Sequence, residues 1–101
     1  MNILAIGAHF DDIELGCSGS LARHVRQGDQ VTMYVATKSG FRSPGREQIR
    51  SNEQALAEGN AAAELIGAKV ICGGFETLQL EFEDNLNGQL VSLIEKEKID
   101  L

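Results

Sequence analysis

The residues that could do chemistry stand together near the start of the chain, in Ala8-His9-Phe10-Asp11-Asp12, directly after an apolar run from Asn2 to Ala8. Imidazole nitrogen and carboxylate oxygen are both zinc ligands, and a catalytic zinc site takes about three protein ligands plus an open position for water. His9 and Asp12 are three apart, so across a strand-to-helix turn both can converge on one point. Asp11, between them, then addresses the neighbouring position, where a carboxylate can act as general base on water. The same residues also suit a plain helix start, because Asp12 can accept backbone N–H groups and both carboxylates favour the helix dipole. Taken alone, the residue types leave both readings open.

The elements that must position these residues read as alternating strands and helices. Asn2 to Ala8 lacks a helical period and predicts a buried parallel strand. Ile13, Cys17, Leu21 and Val25 recur every four residues up to Gly28, a helical stripe with glycine just past its end. Gln30 to Thr37 is rich in β-branched and aromatic residues and predicts a second strand, followed by a loop over Lys38 to Gly45 that holds the only proline. Arg46 to Ile66 predicts a second helix, with Ile49, Leu56 and Ala63 on one face, Gly59 weakening its middle and Gly67 closing it. Ala68 to Cys72 predicts a third strand. The acidic stretch that follows carries Glu76, Glu81, Glu83 and Asp84 among Leu78, Leu80 and Phe82, which reads as a loop packed on the sheet rather than a second cation site. Leu86, Leu90, Leu93 and Ile94 mark a third amphipathic helix, and Ile99 to Leu101 the opening of a fourth strand.

This order predicts an α/β fold, a Rossmann-like parallel sheet with helices on both faces, built by right-handed crossovers. Such sheets bind ligands beyond the carboxyl ends of their strands, where both the His9-Asp12 stretch and the Lys38 to Gly45 loop fall. The first strand is followed by Gly7-Ala8-His9 and carries no G-x-G-x-x-G, which argues against a dinucleotide. A length of 101 residues allows one domain at most, and 43% hydrophobic with 24% charged residues is globular composition. The net charge of −6 opposes phosphate-backbone contact and argues against a nucleic-acid partner. Met1 to Ala8 has no basic segment and too short an apolar run for a signal peptide, and no later run is long enough for a membrane span, so a cytoplasmic protein is the simplest expectation. Cys17 and Cys72, far apart and in no C-x-x-C pair, read as reduced and buried thiols. The sequence leaves room for a homo-oligomer.

The Ala8 to Asp12 stretch resembles the N-terminal signature of the PIG-L/LmbE family of zinc-dependent N-deacetylases, A-H-P-D-D followed by an acidic residue and a glycine-rich helix start. Here it stands as Ala8-His9-Phe10-Asp11-Asp12 and continues Ile13-Glu14-Leu15-Gly16-Cys17-Ser18-Gly19. The passage from Leu21 to Val31, Thr37 ending the second strand, Arg50 with Glu53, and Leu65 to Ala68 agree with the same family, so the resemblance covers the whole chain. By that resemblance His9 and Asp12 are zinc ligands, Asp11 is the base, and one of Arg42, Arg46 and Arg50 helps hold substrate; Arg50 is the best candidate because Glu53 follows at the family spacing, although Glu58 fits the spacing to Gly67 better. The activity it implies is hydrolysis of an N-acetyl group on a glucosamine-containing small molecule or glycoconjugate. Phe10 replaces the usual proline, which restores an N–H and leaves the turn to be held by packing. The family's third zinc ligand lies in a later H-x-x-H-type segment after the fourth strand, so residues 1–101 are expected to be the N-terminal part of one deacetylase domain, truncated after the third helix. The rival expectation is a non-catalytic α/β ligand-binding module with an incomplete metal site. His24 reads as a surface histidine, Glu14 as a first-turn helix charge and Cys17 as a packing residue.

Overall fold

The computed structural model describes residues 1–82 and 84–101. Its elements are β1 (Asn2–Gly7), α1 (Phe10–Arg26), β2 (Gln30–Thr37), β3 (Phe41–Arg42), β4 (Gln48–Arg50), α2 (Asn52–Ile66), β5 (Lys69–Phe75) and α3 (Asp84–Lys96). From Val31 to Thr37 every residue of β2 is buried, a pattern that demands cover on both faces of the sheet. That strand is accordingly central, paired in parallel with β1 on one side and β5 on the other. Its alternating side chains feed two cores. Val31, Met33 and Val35 pack with Ile3, Phe10, Ile13 and Leu21, and with Ala55 and Ala63 of α2. Tyr34 and Ala36 face the other way, against Leu93 of α3, where Tyr34 Oη also donates to Gln89 Oε1 at 2.8 Å. The expected layered α/β architecture with helices on both faces is therefore present.

Glycine ends two helices as expected: Gly28 at φ 92° and Gly67 at φ 79° take the left-handed conformation that reverses the chain. Other expectations are corrected. The second helix starts at Asn52 rather than Arg46, and residues 48–50 instead pair with residues 41–42 in a short antiparallel hairpin. The start is set by a capping box, in which Ser51 Oγ accepts the Gln54 N–H and Gln54 Oε1 accepts the Ser51 N–H, each at 3.0 Å. The buried face of α2 is Ala55, Gly59 and Ala63, while Leu56 is exposed and Ile49 lies outside the helix.

The third strand runs on through Gly73 and Gly74 to Phe75. Gly73 permits this because a Cβ there would meet Tyr34 Oη at 2.2 Å, and Gly74, at φ 83°, sits where the pairing with β2 shifts register. The acidic stretch is not packed on the sheet: Leu78 is 90% and Phe82 99% exposed, and Glu83 lies outside the described residues. Residues 99–101 form no assigned strand, yet they run along β1, with the Leu4 N–H donating to Leu101 O at 2.9 Å and the Asp100 N–H to Asn2 O at 2.8 Å. No helix among the described residues is long and apolar enough to cross a membrane.

Candidate active site

Parallel pairing sets Gly7 opposite Val35, so the carboxyl ends of β1 and β2 release their chains side by side. His9 follows in extended conformation (φ −126°, ψ 161°) as the N-cap of α1. Asp12 Oδ2 accepts the His9 N–H at 2.8 Å and lies 3.4 Å from His9 Nδ1. Asp12 thus does cap the helix, and the same bond holds its carboxylate against the imidazole. His9 and Asp12 are brought together as their spacing predicted. Asp11 is exposed and lines two adjoining hollows, one with His9, Asp12, Ser39, Phe41, Arg50, Thr77 and Leu78, the other with Glu14, Ile49, Gln54 and Glu58.

Phe10 shows what replaces the missing proline constraint. Its ring is fully buried in the core beneath α2, so close to Gly59 that a Cβ there would sit 2.1 Å from Cδ1. The N–H that proline would lack donates to Ser39 Oγ at 3.2 Å. Gly59, which weakens α2 as an isolated helix, is the position that makes room for this ring.

Arg50 reaches the hollow from the hairpin. Its partner is Glu58, through Nη2 and Oε2 at 2.5 Å. Arg50 Nε and Thr77 Oγ1 are buried without a hydrogen-bond partner among the described residues. Glu14 is half-buried here, and burial, reinforced by Asp11 and Glu58 and opposed by Arg50, pushes its carboxyl above the usual range. It belongs to the acidic wall of the site rather than to a solvated helix face. His24 lies in the last turn of α1, where Nδ1 meets Asp29 Oδ2 at 2.7 Å, so it is a partly buried partner of Asp29 and no part of the site. Cys17 and Cys72 are free thiols, both half-buried; Cys17 packs against the core and Cys72 Sγ lies 3.5 Å from Thr37 O. Ser39, Phe41, Thr77 and Leu78 escaped sequence reasoning. Only the Lys38 to Gly45 loop as a whole was marked, by its place after a strand.

The donor chemistry of His9 and Asp12 suits zinc, and the two side chains already converge. Among the described residues, no group of three His, Cys, Asp or Glu side chains is arranged to hold a metal ion.

The sequence pattern of the PIG-L family, described as GlcNAc-PI de-N-acetylase, matches residues 4–101. The uncharacterized deacetylase YaiS of Escherichia coli (strain K12) is 38% identical over 82 residues, which are 81% of this chain and 38% of that protein. The chain thus spans little more than a third of that relative. Among solved structures, N,N'-diacetylchitobiose deacetylase from Pyrococcus horikoshii shares the fold at a TM-score of 0.82 and 20% identity, over 98% of this chain and 38% of that one. The 4-carboxy-2-hydroxymuconate hydratase GalB from Pseudomonas putida KT2440 shares it at 0.79 and 19% identity, over 97% of this chain and 44% of that one.

Proposed function

The chain belongs to the PIG-L family, and from that premise we propose that it carries the first residues of a zinc-dependent deacetylase site, one that removes an N-acetyl group from a glucosamine-containing small molecule or glycoconjugate. The observation that carries the reading is the convergence of His9 Nδ1 and Asp12 Oδ2 at 3.4 Å, at the carboxyl end of β1, with Asp11 lining the same hollow. His9 and Asp12 would hold the metal, which when bound supplies a Lewis acid and lowers the pKa of water in its shell.

The remaining work falls to this chain's own side chains. Asp11, exposed and beside the pair, takes a proton from the attacking water on a carboxylate oxygen and returns it to the departing amine nitrogen. Water adds to the amide carbonyl carbon, the C–N bond breaks, and acetate and a free amine leave. Arg50, reaching the hollow from β4 and braced by Glu58, offers guanidinium N–H groups to substrate oxygens, while Phe41 and Leu78 form an apolar rim that displaces water.

The experiment is a pair of carboxylate substitutions made in the intact protein. Asp11→Asn keeps shape but cannot take the proton, so zinc content stays within about twofold while deacetylation falls roughly 100-fold or more, the scale of general-base loss. Asp12→Asn loses zinc. Equal zinc loss in both variants would show the two carboxylates to be wrongly assigned.

A further inference from the structure

Ser39 is a buried serine in a conformation that glycine normally takes. It is 3% exposed, with φ at 64°, in the left-handed region that disfavours residues with a Cβ. A glycine would hold this turn without strain, so what serine adds is its hydroxyl. That hydroxyl is engaged on both sides: Oγ accepts the Phe10 N–H at 3.2 Å and donates to Thr37 O at 3.2 Å. Two residues back, Thr37 bonds the other flank of His9, its N–H at 3.0 Å and its Oγ1 at 2.9 Å both reaching Ala8 O. Ala8 and Phe10 are therefore both tied to the end of β2, and His9 is strung between them.

We propose that Ser39 is a positioning residue for the His9–Asp12 pair, acting across strands through the Phe10 N–H. The inference rests on reading these two residues as metal ligands. The Phe10 N–H is one of the first-turn donors of α1 that have no partner within the helix. With Ser39 Oγ removed, this donor, above a fully buried ring, must find another acceptor. Asp12 Oδ2, which already serves the adjacent His9 N–H, is the acceptor on the same turn, and a second demand on it draws the carboxylate out of its place beside the imidazole. The turn itself is anchored separately, because the Gly40 N–H donates to Asn52 Oδ1 at 3.1 Å. Loss of the Ser39 hydroxyl should thus disturb the ligand pair without unravelling the loop.

The test compares Ser39→Gly with Ser39→Ala. Both remove Oγ, but glycine relieves the positive φ, so Ser39→Gly remains folded even where Ser39→Ala does not. Cobalt(II) serves as the probe, titrated by visible absorption, alongside amide hydrogen exchange at Phe10 and urea unfolding. In Ser39→Gly, Phe10 exchange should accelerate about 10-fold and the cobalt Kd rise about 10-fold, the lower end for residues that orient metal ligands. A merely structural role predicts wild-type cobalt binding once the strain is relieved, and that result overturns the inference. A cobalt Kd that is the same in wild type and His9→Ala would instead overturn the ligand reading, and the inference with it, a failure told apart by the His9 variant.

Discussion

Gly59→Ala sets two physical effects of opposite sign against each other. In an exposed helix the change stabilises by about 0.5–1 kcal/mol, since alanine loses less backbone entropy than glycine. Gly59 lies within α2 and shows no positive φ, so its backbone accepts alanine. The added Cβ, however, would lie 2.1, 2.6 and 2.7 Å from Cδ1, Cε1 and Cγ of Phe10, where carbon atoms settle at about 3.5–4.0 Å. This is no flexible chain end that can swing aside. The ring is fully buried between sheet and helix, so either it or α2 must shift by on the order of 1 Å. Overpacking of this kind costs about 1–3 kcal/mol, which set against a propensity gain of about 0.5–1 kcal/mol leaves a net loss of up to about 2.5 kcal/mol. For about 100 residues each kcal/mol of net loss lowers Tm by roughly 4–8 °C. Phe10 also begins the turn that holds Asp12, so cobalt affinity should fall in the same variant. The assay is thermal and urea unfolding of Gly59→Ala, with Gly59→Ala/Phe10→Leu as the companion that restores room. A Tm for Gly59→Ala above wild type would refute the packing argument, because it would mean helix propensity had won.

Three further outcomes follow from the same geometry. His9→Ala should lower zinc content far more than His24→Ala does, because His24 is committed to Asp29 in the last turn of α1, and elemental analysis of the two variants checks it. Lys38, hydrogen-bonded to Glu76 at 2.6 Å, holds the Glu76 carboxyl below its usual range and is itself raised by it. The pair's contribution to stability is therefore present above the ordinary carboxylate value and lost as pH falls through the lowered Glu76 value. At the alkaline end it is lost as pH rises through the raised Lys38 value. Glu76→Gln should flatten both limbs of a urea-stability profile against pH, and an unchanged profile would count against it. Finally, kcat/KM for a neutral N-acetyl sugar should vary little with salt, whereas a steep rise with ionic strength would reveal a repelled, anionic substrate.

The sequence made some of this legible and concealed the rest for identifiable reasons. Strands β1 and β2 and the stripe of α1 were readable because period and composition are local properties. The start of α2 was misplaced because Arg46 to Arg50 are tolerable helix formers, although the decisive signal was present in Ser51-x-x-Gln54. The face of α2 was misread for a different reason. Ile49, Leu56 and Ala63 look more apolar than Ala55, Gly59 and Ala63, and only the position of the Phe10 ring makes a small-residue face the buried one. At the site, the approach of His9 to Asp12 follows from a spacing of three and was legible. The contribution of Ser39 was not, since it depends on the parallel register that sets β2 beside β1. Nor was the pairing of Arg50 with Glu58, which depends on where the hairpin delivers Arg50.

A fold shared by deacetylases and a hydratase cannot choose between amide hydrolysis and water addition, so the choice must come from side chains. A base beside a polarising metal activates water in either reaction, and Asp11 alone would serve both. What distinguishes them is the charge that the substrate brings. The hollow beside Asp11 holds Asp11, Glu14 and Glu58 against a single cation, Arg50, which Glu58 already engages. A carboxylate-bearing substrate would have to displace Glu58 from Arg50 or approach three acids unpaired. A neutral N-acetylated sugar meets neither obstacle: its hydroxyls can donate to those carboxylates and accept from Arg50, and its acetyl methyl can rest on the Phe41 and Leu78 rim. The charge pattern around Asp11 is therefore the feature on which the proposed preference for a neutral amino sugar rests, and it is independent of the overall fold.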